Sequence, residues 1–158
     1  MTMTKSAAVS ALHQALQDEL AALESVAAMA RDEATSSETK AEGKYDTRAT
    51  EASYLARGQA VRIAEIRRLH AWYDRLEPSE LSPDRVRLGT LVEIEREQPE
   101  WVFLAPFGGS RVEVQGQIVR VISPSSPLGK ALLDLQPGDA MEVDTPRGML
   151  EYEVLRVL

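Results

Sequence analysis

The chain has 158 residues and carries 18 lysines and arginines against 25 aspartates and glutamates, a formal net charge of −7. That balance argues against an extended surface for nucleic-acid phosphates, which would need an excess of cations. The sequence contains no cysteine, which excludes disulfides, thiolate nucleophiles and cysteine-ligated zinc. No window approaches the roughly 18 apolar residues of a membrane helix and no signal peptide opens the chain, so we expect a cytoplasmic protein with no membrane partner.

A narrow apolar stripe predicts a first long helix. Residues 5–34 contain neither proline nor glycine, and their apolar positions recur every three or four residues, the period of one face of an α-helix. The stripe narrows to alanine toward residue 34, which suits close contact between two helices better than a broad globular core. Its members are Val9, Leu12, Leu16, Leu20, Leu23, Ala27, Ala30 and Ala34.

The same period returns after residue 44 and predicts a second helix. Gly58 weakens this helix by up to about 1 kcal/mol relative to alanine, and Gln59 falls at a position facing the first helix. Prolines and serines in residues 78–83 indicate a linker. We therefore predict an antiparallel coiled-coil hairpin over residues 1–77 and a linker over 78–84. The second stripe consists of Tyr45, Ala49, Ala52, Leu55, Ile63, Ile66, Leu69, Tyr73 and Leu76.

Charged residues concentrate at the predicted tip of the hairpin, at about residues 36–48. Each arm has about 30 residues, so a rise of 1.5 Å per residue places the tip roughly 45 Å from the base. A charged tip on a stiff rod is suited to reach into a partner. The carboxylates are Glu38, Glu42 and Asp46, and the cations are Lys40, Lys44 and Arg48.

After the linker the apolar pattern changes to alternation, which predicts strands. We expect a small antiparallel β-sheet with one short helix over residues 85–158, so the fold class is α+β. The predicted elements are strands at 86–94 with a bulge at Gly89, at 101–104 and at 112–121 with a bend at Gly116, a helix at 128–135, and a terminal hairpin from 141 to 157.

This half carries no catalytic motif. It has no glycine-rich phosphate loop and no Gly-x-Ser-x-Gly elbow. Ser123, Ser125 and Ser126 have no base near them in sequence, so we interpret the serine-proline segment as a structural loop.

Four C-terminal segments carry a family resemblance: residues 122–133 (Ile-Ser-Pro-Ser-Ser-Pro-Leu-Gly-Lys-Ala-Leu-Leu), 136–139 (Gln-Pro-Gly-Asp), 141–143 and 148–154. They resemble the C-terminal domain of the Gre family of bacterial transcript-cleavage and elongation factors. The order of elements is also similar, with an N-terminal coiled coil followed by an FKBP-like α+β domain.

The resemblance implies a bacterial RNA polymerase as partner. In the family the globular domain docks at the rim of the secondary channel, and the coiled coil reaches the active centre and the RNA 3′ end. There, tip carboxylates share a second Mg²⁺ with the polymerase, which cleaves its own backtracked RNA. The factor is an accessory and not an enzyme, and the isolated protein binds no metal.

The resemblance also implies roles for particular residues. Glu38 and Glu42 are the catalytic and Mg²⁺-holding candidates, with Asp46 as a weaker one, and Lys40, Lys44 and Arg48 are candidates for RNA contact. Candidates for positioning or making the polymerase contact are Ser125, Pro127, Leu128, Gly129 and Lys130.

The tip departs from the family pattern of an aspartate, a glutamate three residues on, an asparagine, and a tyrosine seven residues from the aspartate. If Glu38 takes the aspartate's place, Tyr45 fits, but Ala41 replaces the glutamate and Glu42 stands where the asparagine would be. Three alternatives therefore stay open: a Gre-like regulator that inhibits or competes without stimulating cleavage, an FKBP-like prolyl isomerase, and a plain coiled-coil interaction protein. The sequence fits a monomer or a weak homodimer.

Overall fold

The computed structural model describes residues 2–35, 46–76 and 83–158, and it describes side chains for all of these except residues 33–35 and 46–53. It contains three helices within those ranges, α1 (Lys5–Thr35), α2 (Asp46–Arg75) and α3 (Pro127–Leu132), and six strands. The strands are β1 (Leu91–Glu95), β2 (Pro99–Leu104), β3 (Arg111–Val114), β4 (Gln117–Ile122), β5 (Ala140–Thr145) and β6 (Gly148–Val157). This arrangement confirms the predicted α+β class. Among the described helices, none has a stretch long and apolar enough to cross a membrane.

The chain divides into two compact units. One unit is Ala15–Ala71, which contains the arms of the helical hairpin. The other combines Met1–Gln14 with Trp72–Leu158, so the outer ends of α1 and α2 belong to the same unit as the sheet. The boundaries of these units therefore differ from the ends of the helices, because the first turns of α1 and the last turn of α2 pack with the sheet.

Ion pairs and apolar contacts join the two arms in the unit Ala15–Ala71. Arg62 Nη2 lies 2.8 Å from Glu19 Oε1, and Arg67 Nη2 lies 2.6 Å from Glu24 Oε1. Such exposed pairs each contribute about 0–1 kcal/mol, so burial of Leu16, Ile66 and Leu69 provides more of the stability at this end.

Toward the tip the apolar stripe is left uncovered, which corrects the predicted position of Leu55 in the contact between helices. The Leu55 side chain is 67% exposed. The stripe of α1 ends in alanines in the sequence, and small side chains cover little of a leucine. Further apolar residues exposed in this unit are Val26, Met29, Tyr54 and Val61.

The six strands form one sheet in the order β3-β4-β2-β1-β6-β5. Neighbouring strands are antiparallel except β2 and β4, which are parallel with Trp101 opposite Val119 and Phe103 opposite Val121. The sheet is therefore mixed, where the sequence predicted purely antiparallel strands. The chain runs from β2 to the edge strand β3, and β4 then returns between the two. A local sequence pattern does not reveal this order.

Two predicted strands differ from the observed ones. The predicted third strand is a hairpin, because Gln115 and Gly116 have φ values of +52° and +77° and reverse the chain between β3 and β4. The predicted first strand begins only at Leu91, since Gly89 has a φ of +88° and its N–H donates to the Leu104 carbonyl at 2.8 Å. The predicted helix at 128–135 is Pro127–Leu132, and the terminal hairpin of β5 and β6 is confirmed.

The sheet buries both faces within its own unit. Trp72 and Tyr73 at the end of α2 pack on Phe103, with ring centroids 6.2 and 5.8 Å away. Burial raises the pKa of the Tyr73 phenol well above its usual range, so the group stays neutral. Trp72 and Tyr73 therefore cover this face of the sheet at Phe103. The opposite face carries α3 and a core of Val86, Val92, Ile94, Val102, Leu104, Leu132, Met141, Val143, Val154 and Val157.

Candidate functional site

The serine-proline loop, residues 123–127, leads into α3 through a capped turn. Ser126 is the N-cap residue, and its hydroxyl accepts from the Gly129 N–H at 3.0 Å and donates to the Ser123 carbonyl at 2.8 Å. Pro127 follows in the first helical turn, where its missing N–H costs nothing and its fixed φ suits the helix. One hydroxyl therefore fixes both the loop and the start of α3.

Gly129 allows the helix to lie directly against this loop. A Cβ atom built on Gly129 would lie 2.0 Å from the Ser123 carbonyl oxygen and 2.9 Å from the Ser126 hydroxyl. Those distances are well inside van der Waals contact, so the loop keeps its observed path only with glycine at this position.

The five predicted contact residues divide into an exposed group and a buried group. Ser125, Pro127 and Lys130 are exposed and available to a partner. Leu128 packs partly buried against the core, and Gly129 is buried. The Ser125 hydroxyl lies 2.8 Å from that of Ser123, which holds the exposed part of the loop. The roles of these five residues in polymerase contact or positioning stay predictions, and exposure makes direct contact possible for the first group.

An open cleft of about 410 Å³ adjoins the loop. Sequence analysis missed it, because its two arginines are separated in the chain and meet only through strand pairing. Arg120 pairs with Glu100 on β2, with 3.2 Å between guanidinium and carboxylate. The cleft is lined by Gly108, Gly109, Ser110, Arg111, Arg120, Val121, Ile122, Ser123 and Ser126.

The predicted tip residues fall largely outside the described part of the chain. Glu38, Lys40, Glu42 and Lys44 belong to residues 36–45, which connect α1 to α2 and are outside the description. Asp46 is the first residue of α2 and Arg48 lies in the first turn of that helix. The side chains of both residues are outside the described part of the structure. Their roles in Mg²⁺ and RNA contact stay predictions.

A prolyl-isomerase pocket would need aromatic side chains on one face of the sheet, and Trp101, Phe103 and Tyr152 do not share a face. Trp101 and Phe103 lie on the sheet face opposite α3, since Val102 and Leu104 between and beside them join the core beneath α3. Tyr152 packs against that core instead. Arg156 covers the Trp101 ring at 4.9 Å and bonds to Glu93, a hydrogen bond that raises the pKa of Arg156. These contacts favour a structural role for Trp101.

The C-terminal half matches a known family model. Residues 81–158 match the model described as transcription elongation factor, GreA/GreB, C-term. The transcription elongation factor GreA of Acidiphilium cryptum (strain JF-5) is 36% identical over 105 residues, which cover 61% of this chain and 60% of that protein. GreA of Chelativorans sp. (strain BNC1) is 34% identical over 110 residues, covering 69% of this chain and 66% of that protein.

The aligned region therefore spans between 60% and 66% of the length of these relatives. Among solved structures, GreA factor homolog 1 (Gfh1) of Thermus thermophilus is 24% identical, with a TM-score of 0.38 and coverage of 92% of this chain and 94% of that one.

Proposed function

Because the chain belongs to the GreA/GreB family, we propose that it is a transcription elongation factor that binds RNA polymerase and acts as an accessory, not as an enzyme. The observation that carries this proposal is the family match over residues 81–158. That range contains the whole sheet and the serine-proline loop. The loop offers Ser125, Pro127 and Lys130 to a partner on a rigid support, with Leu128 and Gly129 beneath them.

The finer proposal concerns the helical arms. We infer that the coiled coil enters the secondary channel of the polymerase and brings its tip to the RNA 3′ end, with the globular part at the channel rim. The length of α1, 31 residues, supports this reach, because a helix of that length extends about 46 Å.

Tip carboxylates complete the proposed mechanism. Glu38 and Glu42, with Asp46 as a weaker candidate, would hold Mg²⁺ jointly with the polymerase, and carboxylate oxygens are ligands that this ion prefers. Bound there, Mg²⁺ would stabilise charge on the phosphodiester oxygens during RNA cleavage. Lys40, Lys44 and Arg48 would offset the charge of the RNA phosphates.

The experiment compares tip variants on a backtracked elongation complex. The double variant Glu38→Ala/Glu42→Ala should lose stimulated RNA cleavage and keep its affinity for polymerase, while Asp46→Ala should retain most of the cleavage. Cleavage by the double variant at the unmodified rate would remove both glutamates from the mechanism. Loss of polymerase binding by this variant would instead assign them to docking.

The altered tip pattern favours a second candidate, a regulator that occupies the channel without stimulating cleavage. With Glu38 in the place of the family's aspartate, Ala41 stands where the pattern has a glutamate, so one carboxylate is missing from its usual place. In this case the unmodified protein would bind polymerase, displace a cleavage-stimulating factor and leave RNA length unchanged. The same assay therefore separates the two candidates.

A further inference from the structure

We propose that the cleft beside the serine-proline loop binds the carboxylate of an acidic side chain on the surface of RNA polymerase. This inference rests on the proposed function for the identity of the partner. The first observation is a pair of like charges: Arg111 of β3 and Arg120 of β4 are direct cross-strand partners, and both line the cleft. Like charges directly opposite each other destabilise a strand pair. Glu100 offsets the charge of Arg120, and an anion bound at Arg111 would reduce the remaining repulsion.

Hydrogen bonds within the described part of the chain do not use all the N–H groups of Arg111 and Arg120. Arg120 uses its terminal nitrogen for Glu100, but its Nε is buried and has no hydrogen-bond partner within the described residues. A buried donor without an acceptor is unfavourable. For Arg111, which is exposed, the described part of the chain supplies no ion pair. Glu113 lies on the same face of β3 as Arg111, but the residue directly opposite Glu113 on β4 is Ile118 and not an arginine.

The remaining walls add hydroxyls and no acidic side chain. Ser110, Ser123 and Ser126 contribute the polar lining. Gly108 closes one side against the backbone, since a Cβ there would lie 2.8 Å from the Ser123 nitrogen. The cleft thus presents the exposed guanidinium of Arg111, beside the Glu100-bonded guanidinium of Arg120 and small polar groups. The planar Arg111 donors match the two oxygens of a carboxylate.

Charge around the cleft favours an acidic protein side chain over a nucleic acid. Residues 78–158 carry 8 basic and 13 acidic side chains, a net charge of −5. A polyanionic backbone running across this unit would meet that acidic surface, whereas a single carboxylate needs only the cleft. Because Ser123 and Ser126 belong to both the cleft and the loop, a partner that covers Ser125 would lie beside the cleft.

The test uses Arg111, because it is exposed and its replacement leaves the Arg120–Glu100 pair intact. Arg111→Ala should weaken the affinity for core RNA polymerase by about tenfold at low salt, the scale of one charge-assisted contact, and Arg111→Glu should weaken it further. The loss should shrink at high salt because the contact is electrostatic. Arg147→Ala is the matched control, since Arg147 is exposed in the β5–β6 turn at the opposite sheet edge, and it should bind as the unmodified chain does.

The outcomes separate this inference from the proposed function. If the unmodified chain does not bind polymerase, the proposed function fails. If it binds and both Arg111 variants bind equally well with unchanged unfolding midpoints, the cleft assignment fails alone. Binding of a single-stranded RNA oligonucleotide is measured as well. If Arg111→Ala lowers RNA binding and leaves polymerase binding unchanged, the cleft binds nucleic acid and the inference is overturned.

Discussion

Replacing Gly129 by alanine tests the account of the serine-proline loop most sharply. The added Cβ would lie 2.0 Å from the Ser123 carbonyl oxygen, so loop and helix must separate by more than about 1 Å to reach ordinary contact. That carbonyl accepts from the Ser126 N–H at 3.1 Å and from its hydroxyl at 2.8 Å. Loss of these two bonds, at about 1 kcal/mol each, adds to about 1–3 kcal/mol of overpacking. We expect Gly129→Ala to lower the free energy of unfolding by about 3–5 kcal/mol.

Tryptophan fluorescence during denaturant unfolding measures this change, because the chain has two tryptophans and both Trp72 and Trp101 belong to the unit that contains the sheet. Gly58→Ala is the matched control. Within the described part of the chain, no atom lies within 4 Å of a Cβ built at Gly58 in α2. The same substitution there should therefore stabilise the helix by about 1 kcal/mol, measured by circular dichroism. A Gly129→Ala chain as stable as the unmodified one would refute the reasoning about close approach.

Two further predictions concern single side chains. Ile66→Ala should lower the free energy of unfolding by about 2–5 kcal/mol because Ile66 is 0% exposed. Leu55→Ala should lower it by less than about 1 kcal/mol because Leu55 is 67% exposed. Equal losses, measured by circular dichroism, would contradict the observed difference in burial. Ser126→Ala should lower the free energy of unfolding by about 0.5–2 kcal/mol through loss of the helix cap, whereas Ser125→Ala should leave it nearly unchanged. A lower unfolding midpoint for Ser125→Ala than for Ser126→Ala, measured by fluorescence, would contradict the capping role.

Periodicity predicted the helical hairpin and the α+β class because both are local properties of the sequence. Apolar spacing of three and four identifies a helix face whatever that face contacts. It does not say how much of the face is covered, which is why Leu55 was placed in the helix contact although the structure leaves it exposed. The covering depends on the size of the side chains opposite, and that requires the register between the helices.

The sheet was predicted less fully because its pairing is not local. The turn at Gln115 and Gly116 has positive φ at both positions, yet Gln-Gly lacks the Asn-Gly or Asp-Gly signature of such two-residue hairpins. The parallel pairing of β2 with β4 depends on the crossover through β3. Alternation within each strand is the same for parallel and antiparallel neighbours.

In the candidate site, too, the features set by local sequence are predictable and those set by tertiary contacts are not. The motif around residues 122–133 indicated the serine-proline loop, but the requirement for glycine at position 129 comes from a contact with Ser123 that only the fold creates. The cleft was missed for a similar reason, since Arg111 and Arg120 become partners through the register of β3 and β4. Local motifs thus identified the loop, and tertiary packing determines which of its residues a partner can touch.

The central claim is that this chain binds RNA polymerase and acts on backtracked transcripts. The most direct measurement adds the purified protein to a backtracked elongation complex with Mg²⁺ and follows RNA length and polymerase binding together. We predict binding to the polymerase and shortening of the RNA from its 3′ end. Absence of bound protein would contradict the claim, and bound protein with RNA of unchanged length would refute cleavage and favour the regulator that occupies the channel.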